Sequence, residues 1–137
     1  MYVEFNNEMI DSNELKKTIE GNTEFKVLKD MSKGSKRDDT LAFNLSVTIN
    51  ALNDLMEEDC NINELTEDEL FEEYLSLAEE IAMDIEEYVP DGAIMDIKSY
   101  EWDKSDNTIK LVIIIAPEDI FEVKLRDVMR RLITQVE

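Results

Sequence analysis

The sequence predicts an α+β fold in which a small antiparallel sheet packs against three to four helices. Three observations support this prediction. Apolar residues recur with helical spacing over 66–89, two strand-like segments flank a polar turn near the C-terminus, and only 3 Gly and 2 Pro interrupt the chain. At 137 residues the chain is long enough to bury an ordinary core, so a single domain over residues 1–137 is expected.

The first third of the chain contains short elements. MYVEF and EFKVL are predicted as short strands, the first of them opening the chain at Met1. DSNELKKTIEG lies between them and is predicted as a helix with Asp11 or Ser12 as its N-cap. KDMSKGSKRDD contains Gly and small polar residues, and we expect an exposed loop that carries the basic cluster at Lys33, Lys36 and Arg37.

Residues 40–58 fit two patterns. Apolar residues alternate from Leu41 to Ile49 as they would in a half-buried strand, and Val47, Thr48 and Ile49 favour a strand locally. A helical stripe also runs through the segment, and its unbroken length favours a helix. That stripe contains Leu41, Leu45, Ile49, Leu52, Leu55 and Met56. We predict a helix over 40–58, with a strand as the alternative.

The next helix has clear boundaries. Thr66 is followed three residues later by Glu69, a capping-box pattern that places the helix start at Thr66. Pro90 and Gly92 end the helical pattern. The residues predicted to face the core are Phe71, Tyr74, Leu75, Ala78, Ile81, Ala82, Ile85 and Val89.

The C-terminal third predicts a β-hairpin followed by a helix. AIMDIKSYEW and TIKLVIII are separated by DKSDN, which suits a polar turn between two strands. Three consecutive isoleucines, Ile113 to Ile115, predict a strand that is covered on both faces. Pro117 is predicted in the first turn of the last helix. The apolar stripe expected along that helix contains Phe121, Leu125, Val128, Leu132 and Val136.

Charge is unevenly distributed along the chain, whose net charge is −20. Residues 1–37 contain 7 acidic and 7 basic residues, and residues 98–137 contain 8 acidic and 7 basic residues. Residues 38–97, the acidic helical block, contain 19 acidic residues and no Lys or Arg. A general pressure toward acidity would spread carboxylates over the whole chain, so their confinement to one block indicates a localised role.

The helix predicted over 66–89 presents many of these carboxylates opposite its apolar stripe. Ordinary surface helices interleave opposite charges, because Glu and Lys at i, i+4 stabilise each other. Here the heptad recurrence of acids predicts columns of carboxylates about 5–6 Å apart, close to the spacing of phosphates along a nucleic-acid strand. The alternative is a solvated face that serves solubility. The residues predicted to bind a partner are Glu69, Glu72, Glu73, Glu79, Glu80, Asp84, Glu86 and Glu87.

No enzyme is predicted. The chain has no His, which removes the commonest general base and the usual catalytic triads. It has a single Cys, Cys60, which we interpret as a structural thiol, and it has no Gly-rich phosphate loop. Zinc sites need His or several Cys, and the hairpin turn lacks the pattern of a calcium loop. The sequence therefore predicts no cofactor and no metal.

These observations predict an acidic protein-binding module, most simply an inhibitor or nucleic-acid mimic that occupies a basic groove on a target protein. In charge distribution alone, the chain resembles small acidic inhibitors of phages and mobile elements, including some anti-CRISPR and anti-restriction proteins. The alternative is a subunit of a phage particle or an immunity protein for a basic toxin.

The expected partner is a basic protein, a class that includes proteins that bind nucleic acid. Direct binding to nucleic acid is not expected, since the net charge repels phosphates. Contact between the basic loop and the acidic block of a second copy would give a homodimer. The lone Cys, the absence of a long apolar run and an N-terminus unlike a signal peptide predict a cytoplasmic protein with no membrane association.

Overall fold

The computed structural model describes residues 1–56 and 64–136, and in that part of the chain four α-helices and two antiparallel sheets form an α+β fold. The predicted class is confirmed. The strands of the larger sheet are β3 (Lys26–Asp30), β4 (Leu41–Thr48), β5 (Ala93–Asp103) and β6 (Thr108–Pro117). Their order in the sheet is β3–β4–β6–β5, so the C-terminal hairpin supplies one half of it.

The N-terminal strands form a hairpin of their own, β1 (Tyr2–Phe5) with β2 (Glu8–Asp11). Asn6 and Asn7 both have positive φ, which is the backbone conformation of a type I′ hairpin turn. Helix α1 (Ser12–Asn22) follows directly, and the Asp11 carboxylate accepts a hydrogen bond from the Asn13 N–H at 3.3 Å. The predicted N-cap at Asp11 is thus confirmed.

Residues 40–58 do not form one helix, so this prediction is wrong. Leu41–Thr48 is the strand β4, and helix α2 covers only Ile49–Met56. Residues 57 and 58 lie outside the described part of the chain. The Thr48 hydroxyl accepts a hydrogen bond from the Ala51 N–H at 3.2 Å and caps α2 where the strand ends. The helical spacing misled because residues four apart, such as Leu41 and Leu45, share a face in a strand as well as in a helix, and both belong to the same buried cluster.

The larger sheet separates two apolar clusters. Leu111, Ile113 and Ile115 of β6 face the side that carries α1, α2 and helix α3 (Glu67–Ala82). Val112 and Ile114 face the side that carries helix α4 (Glu122–Val136). All five side chains are fully buried, so the prediction of a strand covered on both faces is confirmed.

The start of the last helix differs from its prediction. Pro117 is the last residue of β6, paired with Ala93, and α4 begins only at Glu122. The Ile120 N–H donates to the Pro117 carbonyl at 3.0 Å, which makes a turn between strand and helix. Phe121, predicted in the core, precedes the helix and is 71% exposed. Val128 and Leu132 pack against the sheet as predicted.

The segment predicted as an exposed loop is more ordered than its composition indicates. Ser32–Ser35 forms a 3-10 helix, and the hydroxyl-bearing side chains at both of its ends are buried. Arg131 of α4 donates to the Ser35 carbonyl at 2.8 Å and ties the segment to the helix. Among the described residues, no helix has both the length and the apolarity needed to cross a membrane.

Candidate functional site

Helix α3 carries most of the carboxylates predicted to bind a partner, and its start is fixed by local hydrogen bonds. The Thr66 hydroxyl accepts from the Glu69 N–H at 3.2 Å, and the Glu69 carboxylate accepts from the Thr66 N–H at 3.3 Å. This reciprocal pair is the predicted capping box. Three acidic residues in the first turn also suit the positive end of the helix dipole.

The opposite side of α3 holds it against the sheet. Tyr74, Ala78 and Ala82 are buried, and the Tyr74 hydroxyl donates to the Asn53 side-chain oxygen of α2 at 2.6 Å. The Tyr74 ring also meets Trp102 of β5 edge to face, with centroids 5.2 Å apart. Phe71, predicted on the buried stripe, is 39% exposed, whereas the neighbouring Leu70 packs against the core.

Seven of the eight predicted partner-binding residues have exposed side chains, and we call these seven the acidic face: Glu69, Glu72, Glu73, Glu80, Asp84, Glu86 and Glu87. In the described part of the chain, the ion pair made by α3 joins Glu67 to Lys104, and Glu67 is not one of the seven. The carboxylates of the acidic face therefore point to solvent, and among the described residues no Lys or Arg forms an ion pair with them.

Glu79 is the exception, because its carboxylate accepts hydrogen bonds from the sheet. Its carboxylate accepts hydrogen bonds from the Ser99 N–H at 2.9 Å and from the Ser99 hydroxyl at 2.8 Å. Ser99 is buried on β5, the outer strand of the sheet, and Glu79 is half-buried. The side chain satisfies a backbone donor at the sheet edge, which a helical wheel cannot reveal.

Replacing Glu79 with Ala is expected to destabilise the fold by about 1–3 kcal/mol, because it leaves the Ser99 N–H and hydroxyl without their charged acceptor. Denaturant unfolding measures this change. The matched control is Glu80→Ala, which removes the neighbouring exposed carboxylate and is expected to change stability by less than about 0.5 kcal/mol. Equal effects of the two substitutions would contradict the structural role of Glu79.

The helix changes geometry before the acidic segment ends. After Ala82 the backbone continues as a 3-10 helix over Met83–Tyr88, so Asp84, Glu86 and Glu87 lie on a tighter spiral. A 3-10 helix turns through about 120° per residue, compared with about 100° in an α-helix, so the predicted heptad columns lose their alignment there. Together with the inward position of Glu79, this interrupts the regular ladder of carboxylates predicted from the sequence.

Residues of α3, β5 and α4 line a cleft of about 600 Å³ beside the outer strand, and this cleft carries both signs of charge. Its acidic residues are Glu79 and Asp96, and its basic residues are Lys98, Arg126 and Arg130. Burial raises the pKa of Asp96, the Ile97 N–H and Lys98 oppose that shift, and the charge of Glu79 adds to it.

Replacing Asp96 with Asn is expected to raise the melting temperature at pH 7. The folded pKa is raised, so the folded state takes up a proton more readily than the unfolded state. Stability from this group therefore increases as the pH falls from neutral toward its ordinary pKa of 3.8. The advantage of Asn should shrink at pH 4, as thermal melts of both proteins would show. A lower melting temperature for the variant at pH 7 would contradict this account.

Several basic residues lie across the sheet from the acidic face, whereas Lys16 and Lys17 of α1 lie on the same side of the sheet as that face. Helix α4, on the other side of the sheet, carries Lys124, Arg126, Arg130 and Arg131. Two residues after the 3-10 helix Ser32–Ser35, Arg37 forms two hydrogen bonds of 2.8 Å with Asp39, and this guanidinium lowers the pKa of the Asp39 carboxyl. The sheet thus separates a strongly acidic side from a side of mixed charge.

Within residues 1–56 and 64–136, no three His, Cys, Asp or Glu side chains are grouped so that they could hold a metal ion. Cys60, interpreted from the sequence as a structural thiol, lies outside the described residues. Searches of protein-family models, curated proteins and solved structures gave no match to this chain.

Proposed function

We propose that this protein is an acidic protein-binding module, whose acidic face occupies a basic surface on another protein. The observation that carries the proposal is the exposure of seven clustered carboxylates on α3 and the following 3-10 helix, in a block of the sequence that contains no Lys or Arg. Their sign and density suit a partner that supplies cations.

The energetics of α3 support a partner of this kind. Glu69 and Glu73 are two carboxylates four residues apart within α3, and such a pair costs a helix a few tenths of a kcal/mol. The packing of Tyr74 and the two buried alanines offsets that cost, so the free protein tolerates it. Lys or Arg side chains of a partner would remove the repulsion on binding, and the field of the acidic face would accelerate the encounter.

We further propose that the module inhibits its target by occupying a groove that otherwise holds nucleic acid, as small acidic inhibitors of phages and mobile elements do. This part of the proposal rests on the sign and clustering of charge. It does not rest on a match to phosphate spacing, because Glu73 and Glu80 are separated by about 10 Å along the helix with Glu79 turned inward.

A second candidate function is assembly, either as a subunit of a phage particle or as an immunity protein for a basic toxin. The Lys and Arg residues of α4 favour a subunit, because the acidic face of one copy could contact these cationic side chains on the mixed-charge side of the next copy. Such a contact would be weakened by salt. Sedimentation at low and high salt would reveal it as association that salt reverses, whereas a module for a foreign partner should remain monomeric at both.

Affinity capture from the native host tests the inhibitor. The immobilised protein should retain a basic nucleic-acid-binding protein at low salt, and duplex DNA or RNA added as competitor should elute it, because both ligands would occupy one groove. Nucleic acid alone should not be retained. Capture of a partner that nucleic acid fails to elute would refute mimicry while leaving the binding module intact.

A further inference from the structure

A groove of about 830 Å³ lies between the end of α1, helix α2 and the junction of α3 with its 3-10 helix. It is distinct from the mixed-charge cleft beside β5, because no residue lines both. Its size is within the range of about 300–1,000 Å³ that is typical of ligand-binding pockets. The lining residues on which the inference rests are Glu24, Leu55, Ile81, Asp84, Glu87 and Tyr88.

The groove has an apolar part that the protein leaves accessible. Leu55 is 44% exposed although it belongs to the amphipathic helix α2, whose Leu52 and Met56 are buried. Ile81 and Tyr88 are half-buried on the opposite wall. Apolar surface left in contact with water at a concave site is a source of affinity for a partner that covers it.

The rim of the groove is acidic. Glu24 lies beside the end of α1, and Asp84 and Glu87 lie on the 3-10 helix, so carboxylates flank the apolar part on two sides. No Lys or Arg is among the residues that line this groove. Asp84 and Glu87 also belong to the acidic face, and the groove is therefore continuous with the proposed binding surface.

We propose that this groove receives a segment of the basic partner in which an apolar side chain is flanked by Lys or Arg. The inference rests on the proposed function and specifies how the partner is recognised. The apolar side chain covers Leu55, Ile81 and Tyr88, and the flanking cations approach the carboxylates at the rim. Buried apolar anchors carry most of the affinity of an interface, whereas charge at the rim sets the association rate and the choice of partner.

The groove also explains how an acidic protein could select one basic partner among many. A uniform field of carboxylates attracts every cationic surface, including that of unrelated proteins. An apolar contact surrounded by charge rejects cationic segments that lack the anchor, because their polar side chains would lose hydration without gaining a partner.

Peptide titration followed by amide NMR tests the inference. The probe is acetyl-Lys-Leu-Lys-Lys-Leu-Lys-amide, and the control is the peptide in which Ser replaces both Leu. The leucine peptide is expected to bind about tenfold more tightly than the serine peptide, with the largest shifts at Leu55, Ile81 and Tyr88. Equal affinities for the two peptides, or chemical-shift changes spread evenly along α3, would overturn the proposal that the groove binds an apolar anchor.

Matched variants separate the groove from the rest of the acidic face. Asp84→Asn with Glu87→Gln removes two charges at the rim, and Glu72→Gln with Glu73→Gln removes two exposed charges of α3 outside the groove. The first pair of substitutions should lower the affinity for the leucine peptide more than the second pair does. Leu55→Ser should abolish the preference for the leucine peptide and should leave the affinity for the serine peptide unchanged. An equal loss of affinity in both double variants would refute the proposed role of the groove.

The two proposals fail separately. If the proposal for the groove is wrong and the proposal of a binding module is right, binding of the captured host partner still requires the acidic face. Leu55→Ser then does not weaken that binding. If the module is wrong, reversing charge on the acidic face leaves the captured partner bound, whatever the peptides do.

Discussion

Reversing Glu72, Glu73 and Glu80 to Lys is expected to slow association with the basic partner about 10-fold to 1,000-fold, because electrostatic steering changes on-rates over that range. All three side chains are exposed and lie away from the buried Tyr74 and Ala78, so the fold should survive. The reversal should also relieve repulsion along the helix. Stopped-flow or surface-based kinetics at two salt concentrations would measure the change, and the unmodified protein should associate more slowly at the higher salt.

A control of equal net charge shows whether arrangement matters. Glu8→Lys, Asp106→Lys and Glu118→Lys change the same number of exposed acids outside the acidic face. We expect a smaller effect from this control. If it slows binding as much as the reversal on α3, only net charge counts. If neither triple variant changes binding, the acidic face is a solubility surface and the interface lies elsewhere.

Replacing Phe43 with Ala is expected to destabilise the protein by about 3–5 kcal/mol, since the ring is fully buried and its removal leaves a cavity. Phe43 lies in the middle of β4, opposite Asp30 of β3 and Ile113 of β6. Had residues 40–58 formed the predicted helix, Phe43 would lie off the apolar stripe and its loss would cost far less. Denaturant unfolding, with the fold checked by circular dichroism, provides the measurement.

Leu55 is the matching control, because the helical stripe predicted it to be as important as Leu45. In the structure it is 44% exposed, and Leu55→Ala is expected to cost less than about 1 kcal/mol. If Leu55→Ala lowers the free energy of unfolding more than Phe43→Ala does, the helical interpretation would be restored and the central position of β4 would be contradicted.

The separation of charge across the sheet gives the proposed interface a direction. The acidic face lies on the side of α1, α2 and α3, and the arginines of α4 lie on the other side. A basic partner is therefore attracted more strongly to the side with the acidic face than to the side with α4. Much of the uneven charge along the sequence becomes an uneven charge in space because residues 66–88 pack on one side of the sheet.

Local features of the fold were predictable because their causes lie within a few residues. Thr66 and Glu69 satisfy each other's backbone groups, so the start of α3 follows from a pattern four residues long. The hairpin of β5 and β6 follows from two strand-like segments and a polar turn, in which Asp103 accepts from the Ser105 and Asp106 N–H groups. The acidic block and the absence of His needed no structure at all.

Other features were decided by contacts between distant parts of the chain. Leu41–Thr48 has an apolar pattern that suits helix and strand alike, and pairing with β6, sixty or more residues away, makes it a strand. Glu79 looks like any exposed glutamate on a helical wheel, and its role appears only when Ser99 is placed beside it. Phe121 has the spacing of a core residue, but β6 extends to Pro117 and delays the helix.

The sequence by itself determined that this protein is strongly and locally acidic, that it is an α+β chain, and where its acidic helix begins. Those properties depend on composition, on periodicity and on hydrogen bonds between near neighbours. Only the tertiary structure decided which carboxylates remain exposed, which one satisfies the sheet edge, and that an apolar groove adjoins the acidic face. Burial and pairing depend on which surfaces meet, and the free energy of those contacts overrides local preference when the two disagree.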